Sequence, residues 1–407
     1  MPDIATQLDV TTRRYIDTNP ELRDLVFNHD PTMSFIGDNC HEEVRGGLNW
    51  NDSIEYDVQD GGPYSKGQDL PADQRQIEQA LQFLPKLNVI MIPFYKEDIR
   101  VFNVAGDPLA VINLVTERVD SAFIQLGAQT ALQRYLQGQS SAFVKFPNGL
   151  LEASSDGTNP GWDGNSYPVY GTLTRSIYGG RMLAPTPRNL AGGSITLPTM
   201  ESLYQSVNFG SGKYEPNTIT TTPLGYGLIR NNYQTQQRFI NVTVGRAGFR
   251  GLEYNNATIF ASRYAPGSYL MNPAAGAAPV IPTTTPNNNG TNDRVAVRMF
   301  AYATGGSPAS YPAPLVMFGN GAGGAGTGPA VGGGAAGMVF GETIWFENIR
   351  KPMVKYRTSA NKPFDGSLDD DGFIPSAGNT KLVGKVLLAH NFSILPGYVT
   401  YAFNFQS

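Results

Sequence analysis

Hydrophobic and polar positions alternate most clearly in the first quarter of the chain. Residues 48–58 (LNWNDSIEYDV) put Leu48, Trp50, Ile54, Tyr56 and Val58 on one side, and Asn49, Asn51, Ser53, Glu55 and Asp57 on the other. That is the pattern of a half-buried strand. Residues 81–91 (LQFLPKLNVIM) repeat it with Leu81, Phe83, Leu87, Val89 and Met91. Between them DGGPYSKGQDLPADQ is polar and rich in turn residues. The pair predicts a long two-stranded ribbon over 48–98 with a loose tip. A ribbon alone is marginal in water. Its apolar face is therefore expected to rest on another surface, and another subunit is the candidate.

The next pattern is helical. Asp107 suits an N-cap and Pro108 the first helical position. Leu109, Ile112, Val115, Val119, Phe123, Leu126, Leu132 and Leu136 follow at near-helical spacing, and Gly138 is a stop. The spacing predicts a helix over 108–137, about 45 Å long. Gly127 inside it costs about 1 kcal/mol against Ala, which points to close packing there.

Residues 1–47 read as an arm. Short apolar clusters (Tyr15, Ile16; Leu22, Leu25, Val26, Phe27) alternate with breakers at Pro20, Pro31 and Gly37. Such a segment is not expected to make a core of its own. Further on, 197–208 predicts a short helix, TITTT a strand, 224–239 another helix, and 248–262 a hairpin turning at Asn255–Asn256. Residues 271–338 are rich in Gly, Ala, Pro, Thr and Asn and read as an insertion with long loops and a strand pair near 295–302 and 314–318. From 339 the strand pattern returns in VFGETIWFENI, KPMVKYRT and the closing KLVGKVLLAHNFSILPGYVTYAFNF.

Composition narrows the class. Charged residues are 16%, against ~25% in typical globular chains. The 46 glycines and 29 prolines exceed the usual ~12% share. Few charges and many turns fit a β-rich chain with much surface buried against neighbours. A net charge of -4 argues against a protein that grips nucleic acid by its phosphates. One cysteine, Cys40, excludes an internal disulfide framework. No apolar run is long enough for a membrane span, and the start MPDIATQLDV is not a secretion signal, so a cytosol-like compartment is expected.

Candidate chemistry is sparse. Gly319, Gly321 and Gly324 fit G-x-G-x-x-G after PLVMF, but AGTGPAVGGG follows where a dinucleotide site needs a helix. His41 opens HEEVR, not H-E-x-x-H, and Cys40 beside it on an extended arm points the other way. His29, His41 and His390 are read as structural. Asp369–Asp371 before Gly372 lack the alternating spacing of a calcium loop. No catalytic, cofactor-binding or metal residue is assigned, and no cofactor is expected. Arg13, Arg14 and Arg23 fit salt bridges to a neighbouring subunit as well as contacts to nucleic acid. Lys66 at the ribbon tip is read as a solvated or salt-bridging lysine ahead of an isopeptide donor.

The order arm, ribbon, long capped helix, mixed body and closing strands resembles the major capsid proteins of tailed bacteriophages, the Hong Kong 97 fold. DGGPYSKGQDLP with LQFLPKLNVIMIPFYKEDI looks like the extended loop and its return. VAGDPLAVINLVTERVDSAF looks like the entry to the spine helix. GGSITLPTMESLYQSVNFGSGKYEPNTITTT looks like the axial-domain helix and strand, and GLEYNNATIFASRYAPGSYL with GETIWFENIRKPM like the late strands. The insertion at 268–338 departs from the family pattern.

The resemblance implies an α+β fold divided as N-terminal arm (1–47), extended loop (48–98), peripheral domain with spine helix (99–138), axial domain and returning strands (139–267), insertion (268–338) and closing strands (339–407). It implies a non-enzymatic subunit that assembles in the host bacterial cytoplasm into pentamers and hexamers. These would form an icosahedral virion shell around double-stranded DNA, bound without sequence specificity. Portal, scaffolding and decoration proteins are the expected partners, and no membrane. Inter-subunit contacts are expected at Trp50, Ile54, Tyr56, Tyr64, Lys66, Leu81 and Phe83 of the loop and at Arg13, Arg14, Tyr15 and Phe27 of the arm. The reading depends on these two segments needing cover from other copies. An encapsulin-type compartment, another virion part and an α/β enzyme are the alternatives. The long helix argues against a purely β tail-tube protein, and no convergent polar site supports an enzyme.

Overall fold

A computed structural model describes residues 4–18, 22, 30–57, 62–67, 76–97, 108–139, 146–162, 166–178, 182–207, 214–233, 242–244, 249–267, 342–360, 365–369, 371–375 and 381–405. The insertion at 268–338 and Phe27 lie outside these residues, as do Arg23, His29, Asp107 and the G-x-G-x-x-G stretch.

Two helices and a strand open the chain: α1 (Ile4–Thr18), α2 (Pro31–Cys40) and β1 (His41–Val44). Asp30 caps α2, accepting from the amides of Thr32 and Met33 at 3.1 and 3.4 Å, with Pro31 just inside. Leu8 and Leu22 are buried against Val115, Val119 and Phe123 of the long helix, and Met33, Ile36 and Cys40 sit in the main core. The described apolar residues of this segment find cover on their own chain.

The ribbon is real but shorter than expected. β2 (Trp50–Glu55) pairs antiparallel with β3 (Glu78–Phe83), Trp50 opposite Phe83. The run 81–91 is not one strand. It breaks after Phe83, and β4 (Lys86–Tyr95) leaves the ribbon to join a different sheet. Pro85 lies at the break. Proline has no amide to give a ladder.

The long helix follows as α3 (Pro108–Gln133). Val115, Val119, Ala122, Phe123 and Leu126 form one core with β4 and the closing strands, and Ala128, Ala131 and Leu132 reach into a second. Two small hairpin strands, β5 (Val169–Tyr170) and β6 (Leu173–Thr174), cover the ribbon base. Further elements are β7 (Arg188–Asn189), α4 (Leu197–Val207), β8 (Thr218–Thr221), α5 (Pro223–Tyr233) and β9 (Val242–Val244). The hairpin β10 (Phe249–Tyr254) and β11 (Ala257–Ala261) turns at Asn255 and Asn256, both at positive φ (46° and 66°). A two-residue primed turn requires this, and Asn tolerates it. The closing strands are β12 (Glu342–Glu347), β13 (Val354–Ser359), β14 (Asp365–Leu368), β15 (Ile374–Pro375), β16 (Lys381–Ile394) and β17 (Val399–Phe405).

Among the described residues these strands form two main sheets. One runs β1-β13-β16, with β14, β15 and β4 also on β16. The other runs β7-β17-β12-β8-β11-β10-β9. Trp345 of β12 stacks on Tyr401 of β17 at 4.2 Å in the core of the second. The result is an α+β fold, as expected. Arg134, just past α3, and Glu347 of β12 form a fully buried ion pair that ties the helix to the second sheet.

Candidate functional site

The ribbon residues expected at a subunit contact divide sharply. Trp50, Ile54, Leu81 and Phe83 are buried, between 0 and 5% exposed, within their own chain. Phe83 meets Tyr170 edge-on at 5.4 Å, and the Gln82 amide donates to the Gly171 carbonyl at 2.9 Å. Gly171 is at φ +54°, and a Cβ there would come within 2.9 Å of Leu81. Only glycine lets the β5–β6 turn lie this close. Within the chain Ile54, Leu81 and Phe83 pack into the main core with Tyr170 of β5 and Leu173 of β6, and Trp50 is paired with Phe83. Tyr56 is half-buried, 5.0 Å from the Tyr178 ring. At the tip, Tyr64 and Lys66 are exposed.

The N-terminal residues also turn inward. Arg13 bonds Asp9 at 3.0 Å and the Asp369 carbonyl at 2.6 Å, and the Tyr15 hydroxyl donates to Asp120 at 2.9 Å. Arg14 is exposed.

Candidate catalytic chemistry does not converge. Cys40 lies in the core, where burial pushes its thiol up to about 12. The His41 ring bonds the Thr358 hydroxyl instead, at 2.8 Å. Among the described residues no group of three His, Cys, Asp or Glu is placed to hold a metal. A cleft of about 490 Å³ borders Asp156, Asn159, Pro168 and Arg175. Arg175 spends its guanidinium on the carbonyls of Tyr167, Met182 and Glu152, and Asp156 caps its own turn at the amides of Thr158 and Asn159. No described helix is long and apolar enough to cross a membrane.

The surface that does offer apolar area is the outward face of β4. Its even-numbered residues Asn88, Ile92 and Phe94 are buried. Asn88 and Gln133 of α3 exchange two hydrogen bonds, at 2.7 and 3.0 Å. Of the odd-numbered residues, Leu87, Met91, Pro93 and Tyr95 are exposed, Leu87 by 57%, and Val89 between them is half-buried. Directly opposite on β16 lie Ala389, Lys385, Val383 and Lys381. The Lys381 ammonium sits 4.9 Å over the Tyr95 ring at one end of the strip, and Lys385, 3.7 Å from Asp369, lies beside Met91. Among the described residues β4 pairs only with β16, and an edge position accommodates Pro93. Exposed contiguous apolar faces of this kind mark interaction surfaces. Leu87 and Met91 carried the strand signal in the sequence. Their exposure was hidden because β16, which fixes the faces, lies almost 300 residues later.

No family model matches the sequence, and neither does any curated protein. Solved structures do match. One is a chain of the Cyanophage A-1(L) capsid asymmetric unit, 8% identical, covering 92% of this chain and 93% of that one with a TM-score of 0.51. A second is from the capsid of a native GTA particle, 8% identical, covering 92% and 90% with a TM-score of 0.49. A third is from the holo-SrpI encapsulin complex of Synechococcus elongatus PCC 7942, 9% identical, covering 91% and 87% with a TM-score of 0.46. The likeness to the cyanophage chain establishes the fold, which is of the Hong Kong 97 capsid type.

Proposed function

Starting from that fold, we propose that the chain is a structural shell protein, the major capsid subunit of a tailed bacteriophage. Copies assemble into pentamers and hexamers of an icosahedral virion shell around double-stranded DNA, in the host cytoplasm. The supporting observation is the fold shared with the cyanophage capsid chain over nine-tenths of both molecules. The argument from uncovered ribbon and arm faces does not contribute, because the described core residues of both segments are buried against their own chain.

The exposed strip on β4 and β16 takes its place as the surface for a neighbouring copy. Its apolar centre gives association energy, at about 25 cal/mol per Å² removed from water. Its lysines give orientation. The ribbon tip with Tyr64 and Lys66 reaches outward and supplies a second contact. The low net charge fits a container for DNA that does not grip it. Portal, scaffolding and decoration proteins are the partners this role calls for.

Sedimentation velocity of the purified full chain tests the reading. Megadalton particles are expected. A monomer at every concentration, with or without a co-expressed scaffolding protein, overturns it. Particles that enclose an enzyme and no DNA in the native source favour an encapsulin-type compartment on the same fold.

A further inference from the structure

His390 of β16 is fully buried, and among the described residues neither of its ring nitrogens has a hydrogen-bond partner. Buried polar groups nearly always find one. The ring stands edge-on to Tyr356 at 5.7 Å and to Phe392 at 6.1 Å. β16 is paired on both sides at this point. His390 is opposite Thr358 of β13 and opposite Lys86 of β4.

The carboxylate in its cross-strand row, Glu43 of β1 opposite Thr358, is exposed, and the other titratable groups nearby are neutral or cationic. β13 brings the Tyr356 phenol. β1 brings His41, whose ring lies 5.8 Å from Tyr356 and bonds Thr358. β4 brings Lys86, itself a cation, drawn toward Glu152. α3 brings neutral groups, Thr130, whose hydroxyl donates to the Leu126 carbonyl, and Gln133 bonded to Asn88. A neutral imidazole is tolerated in such a site, whereas an imidazolium would be a buried charge with no carboxylate paired to it among the described residues.

We propose that His390 is an acid-labile point of this sheet: uptake of one proton is incompatible with the ring's place among Tyr356 and Phe392 and destabilises the fold. The inference rests on the fold and the buried ring, not on the shell reading. Burial pushes the ring down to about 3, from 6.5 when exposed. The sign follows from that depression. The unfolded chain binds the proton and the folded chain does not, so stability is lost as pH falls below 6.5. Within that window the loss is about tenfold in the folding equilibrium per pH unit.

The test is urea unfolding of the full chain between about pH 7 and pH 4, comparing wild type with His390→Phe. Below about pH 6 the wild-type folding constant should fall about tenfold more per pH unit than that of the variant. Parallel pH profiles overturn the proposal. Should H390F not fold, carbon-13 NMR of histidine rings in the H29N/H41N chain leaves one signal. That signal should stay neutral down to about pH 4.5, and a midpoint near 6.5 overturns the proposal.

Discussion

Arg357 and Asp52 form a two-pronged ion pair, Nη1 to Oδ2 at 2.8 Å and Nη2 to Oδ1 at 2.7 Å. It fastens the ribbon strand β2 to β13, 305 residues away in sequence. Lys355 and Ser393 donate to the same carboxylate. Asp52→Ala leaves Arg357 with Glu42 alone, at 3.2 Å, and removes the carboxylate from Lys355; it should cost about 1.5–3 kcal/mol, read from urea unfolding at neutral pH. An unchanged midpoint would show that the ribbon is held by packing alone.

The same carboxylate predicts an acid dependence. Burial opposes its charge, but the hydrogen bonds from Arg357, Lys355 and Ser393 outweigh burial and hold it below its ordinary value of 3.8. A depressed carboxyl stabilises above the unfolded value and loses that contribution as pH falls below it. Stability should therefore drop more steeply below about pH 4 in wild type than in D52A. Identical slopes would remove Asp52 from the account.

The buried Arg134–Glu347 pair joins α3 to the second sheet, with both side chains 1% exposed. Arg134→Met leaves Glu347 buried with only a long contact from Thr220, at 3.5 Å. The expected cost is about 3–5 kcal/mol, and adding Glu347→Leu should recover most of it. A double variant no better than the single would mean the pair fixes the angle between helix and sheet in a way apolar side chains cannot.

Much of the fold was legible where local rules decide. The Asn255–Asn256 turn needed two positive-φ residues in a row, and the helix starting at Pro108 carried its own spacing. The ribbon was legible only in part. Leu81, Phe83, Leu87 and Met91 are all odd-numbered, so alternation ran unbroken through Pro85. In the structure the buried face switches there from odd to even. Ile92 and Phe94 were the signal for the switch, because both are apolar on the even side. Asp52 was a second signal. It interrupts the apolar face between Trp50 and Ile54, where a buried acid needs a cation. Its partners on β13 come from a segment no local pattern connects to it.

The β4 strip makes a different kind of prediction. Leu87→Asp with Met91→Asp changes exposed residues and should leave monomer stability within about 0.5 kcal/mol. Assembly should be lost, with the variant sedimenting as a folded monomer. Shells formed normally by the double variant would move the interface elsewhere.

Removing residues 59–76 should spare the body, whose core lies away from the tip, and impair shell closure. Circular dichroism and electron microscopy of the deletion check the two halves separately. Normal shells would mean that Tyr64 and Lys66 meet no neighbour.

Cryo-electron microscopy of particles formed by the full chain bears most directly on the shell assignment. The account predicts closed icosahedral shells of pentamers and hexamers, with a second copy seated against Leu87 and Met91. Soluble single subunits, or particles in which that strip faces open solvent, would contradict it.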